Sequence, residues 1–102
     1  MSELTGNVYL IACGEPLSVK VGFTKGDPRF RLRQLQTGCP TKLVLLGWFP
    51  GDMGEEKDLH QTLSPYRLSG EWFEVNEASA ALLPIDVIRI NNTLCGYEPE
   101  AA

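Results

Sequence analysis

The chain has 102 residues, 43% of them hydrophobic and 22% charged, which suits one soluble domain and leaves no room for a second core. No apolar run approaches the ~20 residues of a membrane span, and the N-terminus lacks the basic and apolar regions of a secretory signal. Cys13, Cys39 and Cys95 are odd in number and far apart, which argues against a disulfide framework or a CxxC zinc site and points to a reducing, cytoplasmic home.

Residues 8–13 (VYLIAC) are an apolar run of strand length, and residues 18–23 (SVKVGF) alternate. Gly14-Glu15-Pro16-Leu17 between them reads as a hairpin loop. Asp27 before Pro28 is an N-cap with proline at the first helical position, and Gly38 is a natural stop, so a helix is predicted over residues 28–37. Cys39-Pro40 leads into a third strand over residues 43–49 (LVLLGWF), closed by Pro50-Gly51. Asp52 caps a second helix over residues 53–63, ended by Ser64-Pro65. Residues 71–75 (EWFEV) form a short extended piece, Asn76 caps a last helical turn or two before Pro84, and residues 86–90 suit an edge strand. The order β-β-α-β-α-(β)-α predicts an α/β (α+β) fold, a small central antiparallel sheet flanked by helices. A single domain is predicted over residues 1–90, with a loose polar tail over 91–102.

The net charge of −4 argues, taken alone, against an anionic partner. Its distribution differs along the chain. Residues 20–42 hold Lys20, Lys25, Arg29, Arg31, Arg33 and Lys42 against Asp27 alone, a local charge of +5, whereas residues 43–102 carry −7. Fields are local over a Debye length of ~8 Å, so a basic segment in an acidic body can still attract phosphate. The plain alternative is a solvated helix with ordinary arginines.

The hairpin can be read in register. A four-residue loop that pairs Cys13 with Ser18 sets Tyr9 opposite Gly22 and Ile11 opposite Lys20. One face then carries Val8, Leu10, Ala12, Val19, Val21 and Phe23, and the other Tyr9, Ile11, Lys20 and Gly22. A slip of one residue would move Lys20 into the apolar set, so the pattern itself supports the register. Tyr9 and Lys20 become diagonal neighbours, roughly 7–8 Å apart at the backbone, and Gly22 leaves a hollow opposite the phenol.

On the first helix Leu32 and Leu35 define the buried stripe. Arg31 lies closest to it and leans toward the sheet, while Arg29 and Arg33 look outward. On the second helix Leu59 and Leu63 mark the apolar face, and Glu56 falls between Leu63 and His60 on that same face. A carboxylate there is costly unless it is paired or bound to a cation. Glu56 is therefore either a metal ligand or one half of an internal salt bridge with Arg31 or Arg67. His60 beside it is a second candidate, or a hydrogen-bonded packing residue.

These residues resemble the GIY-YIG nuclease superfamily, whose members carry two strand motifs, an arginine on the following helix and a metal-binding glutamate on a later one. Asn7-Val8-Tyr9 stands where GIY would be and Lys20-Val21-Gly22 where YIG would be. The stretch VKVGFTKGDPRFRLRQLQTGCP, the pair Glu56 and His60, and the run from Arg67 to Gly70-Glu71-Trp72-Phe73 are similar to the small branch associated with phages and bacteria. The match spans about residues 7–75, and four blocks in the right order are fairly specific. Lys20 in place of the second-motif tyrosine resembles a variation found in that branch.

The resemblance implies an endonuclease that hydrolyses phosphodiester bonds of nucleic acid, DNA in the first place, with one Mg²⁺ or Mn²⁺. By the resemblance, Tyr9 activates or positions water, Lys20 favours its phenolate, and Arg31 meets the non-bridging oxygens. Glu56 holds the metal, and His60 orders a metal water or orients Glu56. Gly22, Thr24, Lys25, Arg29 and Arg33 would lie along the nucleic acid. Read more plainly, Tyr9 is a strand aromatic packed on a helix, Lys20 a solvated sheet-face lysine, and Thr24 and Lys25 loop formers. Arg67 paired to Glu71 beside Trp72 reads as a structural clamp, and Trp48 and Phe49 as core. A catalytically silent module that binds nucleic acid, a protein partner or a second copy is the competing expectation. It suits the acidic back half.

Overall fold

The computed structural model describes residues 6–14 and 17–84. The alternation of the first hairpin is realised as β1 (Gly6–Cys13) against β2 (Ser18–Thr24), in the register Cys13↔Ser18, Ile11↔Lys20 and Tyr9↔Gly22. Asp27 caps α1 (Pro28–Thr37) by accepting from the Arg29 amide, with Pro28 in the first turn and Gly38 at the C-cap. Strand β3 (Leu43–Gly51) returns antiparallel to the far side of β1. Helix α2 (Met53–Thr62) opens on a capping box between Asp52 and Glu55, which satisfies two amides that would otherwise be orphaned. A 3-10 turn at Ser64–Tyr66 leads to a hairpin of β4 (Arg67–Ser69) and β5 (Trp72–Glu74), and Asn76 caps the single turn of α3 (Glu77–Ala80). The strands lie in the order β3-β1-β2-β5-β4, antiparallel at each contact.

Both faces of the hairpin are covered. Val8, Leu10, Val19 and Val21 pack with Leu63 and Phe73, joined by Leu59 of α2, while Tyr9 and Ile11 pack with Leu32, Leu43 and Leu45, joined by Leu35 of α1. β3 serves both clusters, and its ladder steps over Leu46, with Leu10 opposite Gly47 and Ile11 opposite Leu45. Gly47 sits at φ 156, where a side chain is disfavoured, and the bulge turns Leu46 and Phe49 to the α2 side. Trp48 joins the α1 side. The expectation that Trp48 and Phe49 belong to the core holds, on opposite faces.

Three expectations need correction or lie elsewhere. β4 was not anticipated, because its three residues are exposed and carry no alternation; the described order is β-β-α-β-α-β-β-α. The hollow at Gly22 does not exist. A methyl added there would fall on Cζ and Oη of Tyr9, so the phenol ring lies across the glycine and fills the space. The edge strand at 86–90 and the tail over 91–102 lie outside the described residues.

Gly22→Ala is therefore expected to destabilise the fold by about 1–3 kcal/mol, since the ring is walled in and must shift. Gly14→Ala, whose added methyl meets nothing within 4 Å, should leave stability nearly unchanged. Urea melts of the two variants make the comparison. Equal midpoints would mean that the Tyr9 ring yields freely.

Candidate functional site

β5 pairs with β2 only from Ser18 to Lys20, so the edge of β2 beyond Lys20 has no strand partner. Two other groups complete it. The Val21 amide donates to the Glu71 carbonyl at 3.0 Å, and the Val21 carbonyl lies 2.7 Å from His60 Nε2. A carbonyl only accepts, so Nε2 carries the proton and is the donor. That nitrogen is thereby spent on the strand edge and has no lone pair for a metal. The ring is further fixed against Phe73, with centroids 5.3 Å apart. His60 is thus the hydrogen-bonded packing residue of the plainer reading, and it stands beside the site.

One turn earlier on α2, Glu56 is only 7% exposed. Its Oε2 lies 3.7 Å from His60 Nε2. Neither expected arginine reaches it: Arg31 donates to Gln34 Oε1 at 3.2 Å, and the Arg67 guanidinium lies over the Phe73 ring at 5.2 Å. Burial pushes the Glu56 carboxyl above the usual carboxylate range. The nearby Glu71 carboxylate pushes it further, while His60 and, least of all, Lys20 pull the other way.

Lys20 is not a solvated sheet-face lysine. Its side chain is 12% exposed, and Nζ is ion-paired to Glu71 Oε1 at 2.8 Å. The ammonium also lies 5.9 Å from the centre of the Trp72 ring. This corrects the expected clamp, because Glu71 is paired with Lys20 rather than Arg67. Gly70, at φ +57, supplies the left-handed residue that turns the chain between β4 and β5 and delivers Glu71 to this point. Ligand atoms of Glu56, His60 and Glu71 lie within 4.8 Å of one another. Glu71 is the residue that sequence reasoning assigned to structure alone.

Tyr9 is 1% exposed, packed in the α1-side cluster with its hydroxyl end against Gly22. On α1, Arg29 chelates Asp27 through Nε and Nη2 at 3.0 and 2.9 Å and lies 5.7 Å from the Trp48 ring centre. Its side chain keeps 40% exposure, facing outward as expected while engaged with its neighbours. Those contacts hold the Asp27 carboxyl below its ordinary range. Arg31 is half-buried and Arg33 exposed, in the predicted ranking. Thr24 Oγ1 accepts from the Gly26 amide at 3.1 Å, which shapes the loop, and Lys25 is exposed.

The two carboxylates make a hard oxygen donor set, which suits Mg²⁺ or Mn²⁺ rather than a thiolate-seeking ion. A buried carboxylate facing a second one, with no lysine or arginine of its own among the described residues, is an arrangement that a cation relieves. Among the described residues no helix is long and apolar enough to cross a membrane. A family model described as the T5orf172 domain matches residues 6–88. No curated protein and no solved structure gives a significant match.

Proposed function

The chain belongs to the T5orf172 domain family, a nuclease-like family, and on that premise we propose that it is a GIY-YIG-like, divalent-metal-dependent endonuclease that hydrolyses DNA. The observation that carries the reading is Glu56, buried on α2 and facing Glu71 with ligand atoms inside 4.8 Å. Glu56 would hold a Mg²⁺ or Mn²⁺ ion, which when bound would supply Lewis acidity at the scissile phosphate and the leaving 3′ oxygen.

The other roles follow from the chain's own groups. Water attacks phosphorus, its proton passes to the Tyr9 phenolate, and the P–O3′ bond breaks. Lys20, diagonal to Tyr9 across the hairpin, is the cation that would assist this transfer. The Arg31 fork matches two non-bridging oxygens at once. His60, anchored on the Val21 carbonyl at 2.7 Å, keeps Glu56 in place rather than binding metal through Nε2. Burial of Tyr9 at 1% exposure favours the second reading, a module that binds without cutting.

Plasmid nicking by the purified chain decides between them. Nicking should require Mn²⁺ or Mg²⁺ and vanish in Glu56→Gln. DNA retained without nicking, under any metal, would favour the silent module. Binding itself is best probed at Arg33, since reversal at Arg29 also breaks its side-chain pairing with Asp27. Arg33→Gln should lower the log–log salt slope of DNA binding by about one. Binding indifferent to both salt and this substitution would move the interface off α1.

A further inference from the structure

Glu71 takes no part in the chemistry above, yet three contacts converge on it. Its carbonyl accepts from the Val21 amide at 3.0 Å, which fixes the residue against the unpaired edge of β2. Its Oε1 holds Lys20 Nζ at 2.8 Å. One of its carboxylate oxygens also lies within 4.8 Å of a carboxylate oxygen of the buried Glu56.

Resting on the reading of Glu56 as a cation ligand, we propose that Glu71 is a second carboxylate ligand of the same ion, and that Lys20 is the cation it must exchange for the metal. The argument begins with charge. Two carboxylates with oxygens inside 4.8 Å of each other repel, and a cation between them relieves that repulsion. The Lys20 ammonium is ion-paired with Glu71 at 2.8 Å, and among the described residues it makes no ion pair with Glu56. A divalent ion carries twice the charge of an ammonium and can bind both carboxylates at once. Mg²⁺ takes one or two carboxylates and keeps its remaining positions for water and phosphate, which matches two glutamates with His60 Nε2 engaged elsewhere. Once Glu71 turns to the metal, the Lys20 ammonium loses its partner beside Tyr9 and Gly22. Metal loading thus frees a positive charge on the sheet face where a phosphate would lie.

The test is Mn²⁺ titration of the full chain without DNA, read by the electron paramagnetic resonance of the free ion. Glu71→Gln should weaken binding by more than the roughly tenfold that loss of even an outer partner costs a metal site. Lys20→Met should tighten it, because the competing cation is gone. That gain must disappear when Glu71→Gln is also present. A gain of equal size in both backgrounds would mean that Lys20 acts only as a distant charge, and would overturn the exchange. Glu71→Gln alone leaves an ammonium at 12% exposure without its partner and can unfold the chain. The ligand role is therefore also read from Lys20→Met against the Lys20→Met/Glu71→Gln pair, in which no ammonium is orphaned. Equal Mn²⁺ affinity in those two removes Glu71 from the site. If Glu56→Gln abolishes binding while Glu71→Gln does not, the proposed function stands without this inference. If neither matters, both fall.

Discussion

Arg31→Ala is expected to slow metal-dependent cleavage by on the order of 10²–10³-fold, the effect of losing one preorganised donor at developing charge. The fold should hardly notice. Arg31 is half-buried, and its hydrogen bond among the described residues is to Gln34 of the same helix at 3.2 Å, whereas the neighbouring Leu32, at 1% exposure, anchors α1. A surface change of this kind stays within about 0.5 kcal/mol. Mn²⁺ affinity should also be unchanged, which separates this residue from Glu56. Arg31→Lys should restore little, because a point ammonium replaces a planar fork that meets two oxygens. Single-turnover cleavage of a short duplex at saturating metal is the measurement. Full rescue by lysine would reduce Arg31 to diffuse positive charge.

The parts of this site that the sequence makes legible are those governed by local periodicity. Alternation in SVKVGF, paired with the apolar run VYLIAC, set Tyr9 opposite Gly22, since a slip of one residue buries Lys20 among valines. Asp27-Pro28 and Asp52 marked both helix starts because a cap acts within one turn. Helical spacing alone put Glu56 on the packing face, where it is found. What failed depends on distance along the chain. Glu71 meets Lys20 across 51 positions, so a nearby Arg67 was the natural but wrong partner. The hairpin that carries Glu71 is short, and its exposed strand β4 pairs with β5, whose Phe73 is buried in the core. The one local signal was Gly70 before Glu71, a tight turn between two strand-length pieces. Gly47 was a similar signal, an isolated glycine within a strand, and it marks the bulge beyond which Trp48 joins the α1 side and Phe49 the α2 side. The filled hollow at Gly22 teaches a different lesson. Sequence can say that a glycine makes room, but only packing says which side chain takes it.

Glu56→Gln should separate a metal site from a structural ion pair in the folded protein itself. A buried salt bridge that loses one member costs about 3–5 kcal/mol, because its charged partner is orphaned. Here no lysine or arginine pairs with Glu56 among the described residues, and Arg31 and Arg67 are engaged with Gln34 and Phe73. Without metal the variant should thus be neutral or slightly more stable than wild type. The sign with pH follows from burial, which raises the Glu56 carboxyl in the folded state. The native form then holds its proton more tightly than the unfolded chain, whose glutamates titrate near ~4.3. The penalty is absent below that value and grows as pH climbs through the folded pKa. The stability gap in favour of Glu56→Gln should therefore open with rising pH and close in acid. Metal reverses the order. At a hundred times its dissociation constant an ion bound only by the native state adds about 2.7 kcal/mol, which for a chain of this size raises Tm by on the order of 10 °C. Wild type should show that rise with millimolar Mn²⁺, and Glu56→Gln should not. Melts of both proteins, with and without Mn²⁺, at pH 5 and pH 8, contain the whole test. A wild type indifferent to Mn²⁺ beside a variant badly destabilised at both pH values would mean that Glu56 braces the fold. The silent binding module would then be the better account of this chain.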